Sequence, residues 1–257
     1  MAVLRIGSSQ FKLNPIALVL TLLAIALMIK LGFWQIDRGQ EKAEIITQNQ
    51  EANERGLQPI TNTLIPELAE RSDQLVTWQG KVTNLPYFLI ENQIHEGQVG
   101  YHVIAMVTLN NSQQVIPVNF GWVAAAADRS INPELPNISD QLTSFEGRSY
   151  IPSEPFMLQA QAPAFQEGAA FVRLQYPELK VIQDYLANFM PRENVAPFIV
   201  RLAPEEGMEW VREWPIVVMT PHKHYAYAAQ WFSLALAAAF VFLFASRVRN
   251  AAQTKDS

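Results

Sequence analysis

The 257 residues include no cysteine. Without thiols the chain can hold no disulfide scaffold, cysteine nucleophile, zinc ribbon, c-type haem attachment or thiolate copper carrier. Charge is also scarce: Asp, Glu, Lys and Arg make up 17%, against about 25% in an average soluble domain. Glycine (11) and proline (16) are too few for a fibrous or low-complexity chain. The net charge of −5 comes without a basic stripe, which argues against a nucleic-acid partner. The length suits one or two domains.

The missing charge is localised. Leu13 to Ile29 holds no charged residue, and past Lys30 the apolar run resumes at Leu31-Gly32-Phe33-Trp34. Tyr225 to Ser246 gives a second uncharged run of 22 residues. A helix needs about 20 apolar residues to cross the ~30 Å hydrocarbon core, so the second run spans outright. The first spans if Lys30 lies near the interface and snorkels. Phe33, Trp34, Tyr225, Tyr227 and Trp231 would mark the same membrane face, at the depth aromatic rings favour. The first run also carries signal-peptide features: Arg5 and Lys12 ahead of it, and Ala24-Ile25-Ala26 as a small-residue cleavage site. Apolar residues continue directly after that site, which favours a retained helix.

Charge asymmetry sets the expected orientation. Asp37 to Lys223 carries 13 basic and 23 acidic residues, while the remainder carries 6 basic and 1 acidic. Short basic tails stay cytoplasmic and long loops translocate largely regardless of charge. No arginine-rich transit peptide is visible, so the expected location is a bacterial inner membrane with both termini cytoplasmic. The implied boundaries are a cytoplasmic tail over 1–13, transmembrane helices over 14–36 and 223–246, a periplasmic domain over 37–222, and a tail over 247–257.

Between the spans, polar residues from Ile36 to about Glu70 suit a helix leaving the membrane and then a loop. Trp34, Arg38 and Lys42 at i, i+4 and i+8 share one helix face, either a solvated face or a partner-binding one. Short strands are expected at Gln74–Thr83, Pro86–Glu91, Tyr101–Leu109, Gln114–Val123, Gly147–Pro152, Ala170–Gln175, Ala196–Leu202 and Ile216–Met219, with Asn92 to Gly100 as a hairpin connection and a tight turn at Asn110-Asn111-Ser112. Pro177–Met190 reads as a helix with Leu179, Ile182, Leu186 and Phe189 on one face. The expected fold is therefore two transmembrane α-helices flanking a β-rich α+β, mostly antiparallel, extracytoplasmic domain. About 185 residues bury a core without disulfides.

Motifs for hydrolysis, nucleotide binding or zinc proteolysis are missing, and no conventional catalytic set is evident. Of four histidines, His95 and His102 lack clustered ligand partners. His222 and His224 immediately precede the second span. His224, Tyr227, Trp231 and Leu234 lie along one helix face. Such a face can offer a ring nitrogen to haem iron and flat surfaces to the macrocycle; an interfacial histidine within an aromatic belt has the same spacing, and spacing alone favours the belt.

Several segments together resemble the surfeit locus protein 1 family of cytochrome c oxidase assembly factors. Leu31-Gly32-Phe33-Trp34-Gln35 with Arg38 and Lys42 is similar to the family's L-G-x-W-Q-x-x-R-x-x-K. Gly100-Tyr101-His102-Val103 resembles its G-Y-x-V element, and Val118-Asn119-Phe120-Gly121-Trp122-Val123 its V-N-R-G-W-V strand. Trp214-Pro215 followed by His224 through Phe232 resembles the family's entry into its second helix, H-x-x-Y-A-x-x-W-F. Phe120 and Glu213 stand where the family often has arginine, and His222 has no family counterpart. The resemblance implies a non-enzymatic assembly factor for the catalytic subunit of a haem–copper oxidase. It further implies transient haem a, with His224 as its contact beside the Tyr227 and Trp231 rings of the same helix face, and a haem a synthase as a further partner; the Trp34, Arg38 and Lys42 face is the candidate partner-binding surface. A cofactor-free scaffold holding oxidase subunits is the competing reading, and an unrelated anchored periplasmic enzyme a third.

Overall fold

The computed structural model describes residues 2–6, 9–128, 130–136, 138, 141–152, 169–189, 194–204 and 209–247. In chain order its elements are β1 (Ala2–Ile6), β2 (Ser9–Leu13), α1 (Pro15–Arg55), β3 (Gln58–Pro59), α2 (Ile65–Leu68), β4 (Leu75–Val82), β5 (Tyr87–His95), β6 (Gln98–Leu109), β7 (Gln114–Ala124), β8 (Thr143–Tyr150), β9 (Phe171–Leu174), α3 (Leu179–Phe189), β10 (Asn194–Val195), β11 (Ile199–Leu202) and α4 (Pro221–Ser246). They form two compact units, one holding the chain up to Thr47 and from Ile216 on, the other Gln48–Pro215.

The first unit is built on α1 and α4, with β1 and β2 paired antiparallel. Asn14 starts α1: its Oδ1 accepts the backbone N–H of Ile16 at 3.0 Å, the bond an N-cap makes, and Pro15 follows with a φ already suited to a first turn. Beyond Gln35 the residues turn polar, but Glu, Gln, Lys and Ala are strong helix formers, so α1 continues to Arg55. Both helices are long and apolar enough to cross a membrane. Their apolar side chains are not covered by protein, as Leu23 (63% exposed) and Phe244 (74%) show. A buried core helix of the same composition would have them packed, so these helices carry the surface of membrane spans.

In the second unit β6 is the pivot. One edge pairs antiparallel with β7, and the other is shared between β5 and β4. The pairings β4–β8, β8–β11, β11–β7, β7–β6 and β6–β4 return to their start, so these five strands close into a barrel. The pairs in that ring are antiparallel except β11–β7; β5 and β9 extend the sheet outward. Closure removes unpaired edges without any disulfide. Val76, Trp78, Val103, Val107, Ile116, Val118, Phe145 and Val200 form one core. The alternate residues Ile104 and Met106 of β6 join Phe88, Val172, Ile182, Tyr185 and Leu186 in a second, where α3 packs on the sheet. β6 and β7 thus bury both faces, which is why they read as unbroken apolar runs.

The sequence expectations meet three differences here. Asn92 to Gly100 is not a loop: β5 and β6 run on to a turn at Glu96 and Gly97, both at positive φ. Polar side chains face outward there while the backbone ladder continues. Ile216–Met219 forms no strand; Pro215 and Pro221 bracket it and Val218 is 97% exposed, with no neighbouring strand to pair. In Ala196–Leu202 only Ile199–Leu202 is strand, because Pro197 offers no N–H to a ladder. On the expected α3 face Ile182 and Leu186 are fully buried and Leu179 packs beside them; the Phe189 side chain and Met190 lie outside the described residues. Ile182→Val should accordingly lower stability by about 1 kcal/mol, whereas Ile94→Ser, at a site 72% exposed, should change it by less than about 0.5 kcal/mol. Chemical unfolding of the two variants checks the contrast.

Candidate functional site

Two glycines on α1 and two rings on α4 bring the spans together. A side-chain carbon at Gly32 would come within 2.6 Å of the Phe232 ring, and one at Gly39 would overlap the Tyr225 ring outright. Only hydrogen fits at these two seats, seven residues apart on both helices. Small residues let membrane helices approach this closely when no hydrophobic driving force exists between them. Phe33 adds an edge-to-face contact with Phe232, centroids 5.3 Å apart, and Ala228 and Ala235 are buried along the same α4 face.

Between the glycine seats lies Gln35. Its Oε1 is 2.8 Å from Nδ1 of His224, 189 positions away in sequence. The other ring nitrogen, Nε2, is buried and has no hydrogen-bond partner among the described residues. Tyr227 (44% exposed) lies on the open side of α4, and Trp231 is half-buried beside it. His224, Tyr227 and Trp231 therefore share a face bordering the helix contact, while Ala228 takes the place against α1. The sequence reading named Gln35 only as a motif letter; its pairing with His224 was not legible from spacing.

Trp34, Arg38 and Lys42 follow one another along α1, with Trp34 roughly opposite the Gly32–Gly39 stripe and Lys42, three residues after Gly39, rotated back to within about 60° of it. Trp34 is 49% exposed. Arg38 and Lys42 both reach Glu41, at 2.5 and 3.2 Å, and hold its carboxyl below the usual range, the Arg38 hydrogen bond contributing most. The Arg38–Glu41 pair is exposed and contributes little to stability, while the Lys42 side chain is half-buried.

In the β domain a strap just before the second span lies across the barrel. Val211 pairs with Trp122, the Arg212 Nε–H donates to the Phe120 carbonyl at 2.8 Å, and Trp214 Nε1–H donates to the Leu202 carbonyl at 2.8 Å. Phe120 is buried against Phe145 and Trp210, so the position where the family often carries arginine is here an aromatic core site. Glu213 is exposed and its carboxylate is 3.6 Å from His95. His102 packs edge-on against Trp214. The Arg201 guanidinium stacks 3.4 Å from the Tyr150 ring centre.

Burial, reinforced by the Arg201 charge, pulls the His102 imidazole down to about 4. In the unfolded chain it titrates near 6.5, so between these values only the unfolded state takes up a proton. Stability should therefore fall as pH drops from about 6.5 to about 4, by up to about 3 kcal/mol, and level off below. His102→Phe should remove that part of the pH dependence in unfolding titrations.

Among the described residues no three His, Asp or Glu side chains are grouped to hold a metal ion. A groove of about 870 Å³ at the Asn110–Ser112 turn has Lys81 as its one ionisable lining residue among the described residues. A smaller cavity of about 310 Å³ gathers Glu51, Arg55, Glu70 and Arg71, whose charges offset one another.

A pair of membrane-length helices locked through glycine seats, bracketing a closed β domain, defines a two-span membrane protein. The chain belongs to the SURF1 family, whose model matches residues 22–236, the family that the sequence motifs resemble. A search of curated proteins returns no match. Members of the family are assembly factors, and membership places this chain in cytochrome oxidase assembly.

The haem a that the resemblance implies can be tested against the helix pair. An imidazole donating through Nδ1, with Nε2 free to carry the lone pair, would be the form that ligates haem iron. The exposed Tyr227 ring and the half-buried Trp231 ring beside it offer flat apolar contact. Were haem a bound here, His224 would be the iron contact and Tyr227 and Trp231 the surfaces beside it, so the residues can accommodate the group. Nε2 is shielded, so a macrocycle reaching it has to displace what covers it.

Proposed function

We propose that this protein aids insertion of haem a into the catalytic subunit of a haem–copper oxidase, or stabilises the haem pocket there during assembly. The observation that carries the reading is His224, held through Nδ1 by Gln35 with Nε2 left unpartnered at the start of the second span. When bound, the haem would supply an iron centre for axial ligation; the protein's part is to hold and release it. Trp34, Arg38 and Lys42 form the face that meets the oxidase subunit or a haem a synthase. The protein sits in a bacterial inner membrane with both termini cytoplasmic and the β domain periplasmic, supported by the net −10 between Asp37 and Lys223 and the basic tails.

A deletion strain tests this directly. The oxidase purified from it should contain several-fold less haem a per catalytic subunit, restored by the wild-type gene and not by His224→Ala. Full haem occupancy would end the reading. The second reading, a scaffold without a cofactor, is favoured by the exposed Trp34 and Arg38 side chains and by the shielding of Nε2. It predicts co-purification with oxidase intermediates that persists when haem a synthesis is blocked and is lost in Trp34→Ala/Arg38→Ala.

A further inference from the structure

We infer that Gln35 is a positioning residue for His224: it holds the imidazole as the Nδ1–H tautomer, so that Nε2 carries the lone pair offered to haem iron. The inference rests on the haem reading above and adds to it a residue and an atom-level task.

The chemistry follows from the partners. The atom of Gln35 facing His224 is Oε1, which accepts hydrogen bonds and cannot donate. At 2.8 Å its partner Nδ1 must therefore carry the hydrogen. A neutral imidazole has one N–H, so Nε2 is left bare, and Nε2 is the nitrogen with no partner among the described residues. An outer partner on the far nitrogen fixes both tautomer and ring direction of a metal-binding histidine and raises its basicity. Free rotation of a glutamine side chain would blur this role. Here Gly32 and Gly39, at i−3 and i+4 from Gln35, seat Phe232 and Tyr225 and so hold α1 close to α4 on either side of the amide. The stripe Gly32-Gln35-Gly39 is thus one device, with the glycines setting the approach and the amide setting the ring.

The test uses the full chain in detergent, labelled with ¹⁵N-histidine, and His224→Ala identifies the His224 signals. At neutral pH the wild-type nitrogen shifts should show Nδ1 protonated and Nε2 bare; Gln35→Leu should give a mixture of tautomers. The opposite tautomer in the wild type would overturn the inference whatever haem does. Ferric haem a is then titrated and followed at the Soret band. Gln35→Leu should weaken binding by about tenfold to a hundredfold, Gln35→Glu, which keeps an acceptor, should recover it, and His224→Ala should abolish the band. If His224→Ala abolishes the band while Gln35→Leu binds like wild type, the inference falls and the haem reading stands. If His224→Ala leaves the haem spectrum unchanged, the haem reading falls and takes the positioning role with it.

Discussion

Leucine at both Gly32 and Gly39 is expected to separate the two spans. The Phe232 and Tyr225 rings occupy the space a Cβ would need at each position, and an isobutyl group adds three further carbons. Overpacking a close contact costs about 1–3 kcal/mol per site. Both sites act on the same interface, so a combined loss of about 4 kcal/mol is reasonable, close to a thousandfold in the pairing equilibrium. Membrane helices have no hydrophobic effect in reserve between them, since lipid solvates apolar residues as well as protein does. The absence of cysteine makes the measurement clean: Gln35→Cys/His224→Cys introduces the only two thiols in the chain, and a short bismaleimide links them when the helices pair. Linking should be efficient with the glycines in place and almost lost with leucines. Ala229→Leu, on the exposed side of α4, should leave it unchanged. Efficient linking in the double-leucine chain would show that the glycine seats do not hold the pair. In the cell, the double-leucine protein should fail to support oxidase assembly, because the Gln35–His224 contact depends on the same approach.

The spans and several strands were readable because their signals are local. An uncharged run of 22 residues is its own evidence for a span, and the apolar runs of β6 and β7 around Asn110-Asn111-Ser112 matched an observed turn. What failed to show depends on partners far away in sequence. β8 begins at Thr143, four residues before the expected start at Gly147, because its early residues Thr143, Ser144 and Glu146 face outward and only Phe145 is apolar and buried there. Barrel closure rests on β11 lying between β7 and β8, an arrangement no short-range pattern encodes. The candidate site divides the same way. Helical spacing puts His224, Tyr227 and Trp231 on one face without separating a haem site from an aromatic belt, and the hydrogen bond of His224 to Gln35 spans 189 positions. The close fit at Gly32 and Gly39 depends on Phe232 and Tyr225, about 190 positions away, which no local pattern encodes.

The strap preceding the second span should prove more fragile than its irregular backbone suggests, and Arg212 is where it breaks. This arginine is 9% exposed. Its Nε–H donates to the Phe120 carbonyl at 2.8 Å and a terminal N–H donates to the Ala203 carbonyl at 3.0 Å. Each is a bond from a charged donor, contributing about 1.5–3 kcal/mol. Arg212→Met keeps much of the buried stem and removes both donors, leaving two inward carbonyls without these bonds. The expected loss is about 4 kcal/mol of unfolding free energy, read from the denaturant midpoint of the full chain in detergent with tryptophan fluorescence. Arg212→Lys should recover only part of it, because one ammonium on a flexible stem does not reproduce the divergent geometry of the guanidinium. Glu213→Gln next door serves as the control: its carboxylate is exposed and 3.6 Å from His95, a pair whose removal should cost no more than about 0.5 kcal/mol. A loss below about 1 kcal/mol in Arg212→Met would mean that the Val211–Trp122 pairing and the Trp214 bond hold the strap without the arginine. The larger loss would explain how a segment with almost no regular structure stays docked on the barrel directly before the chain enters the membrane.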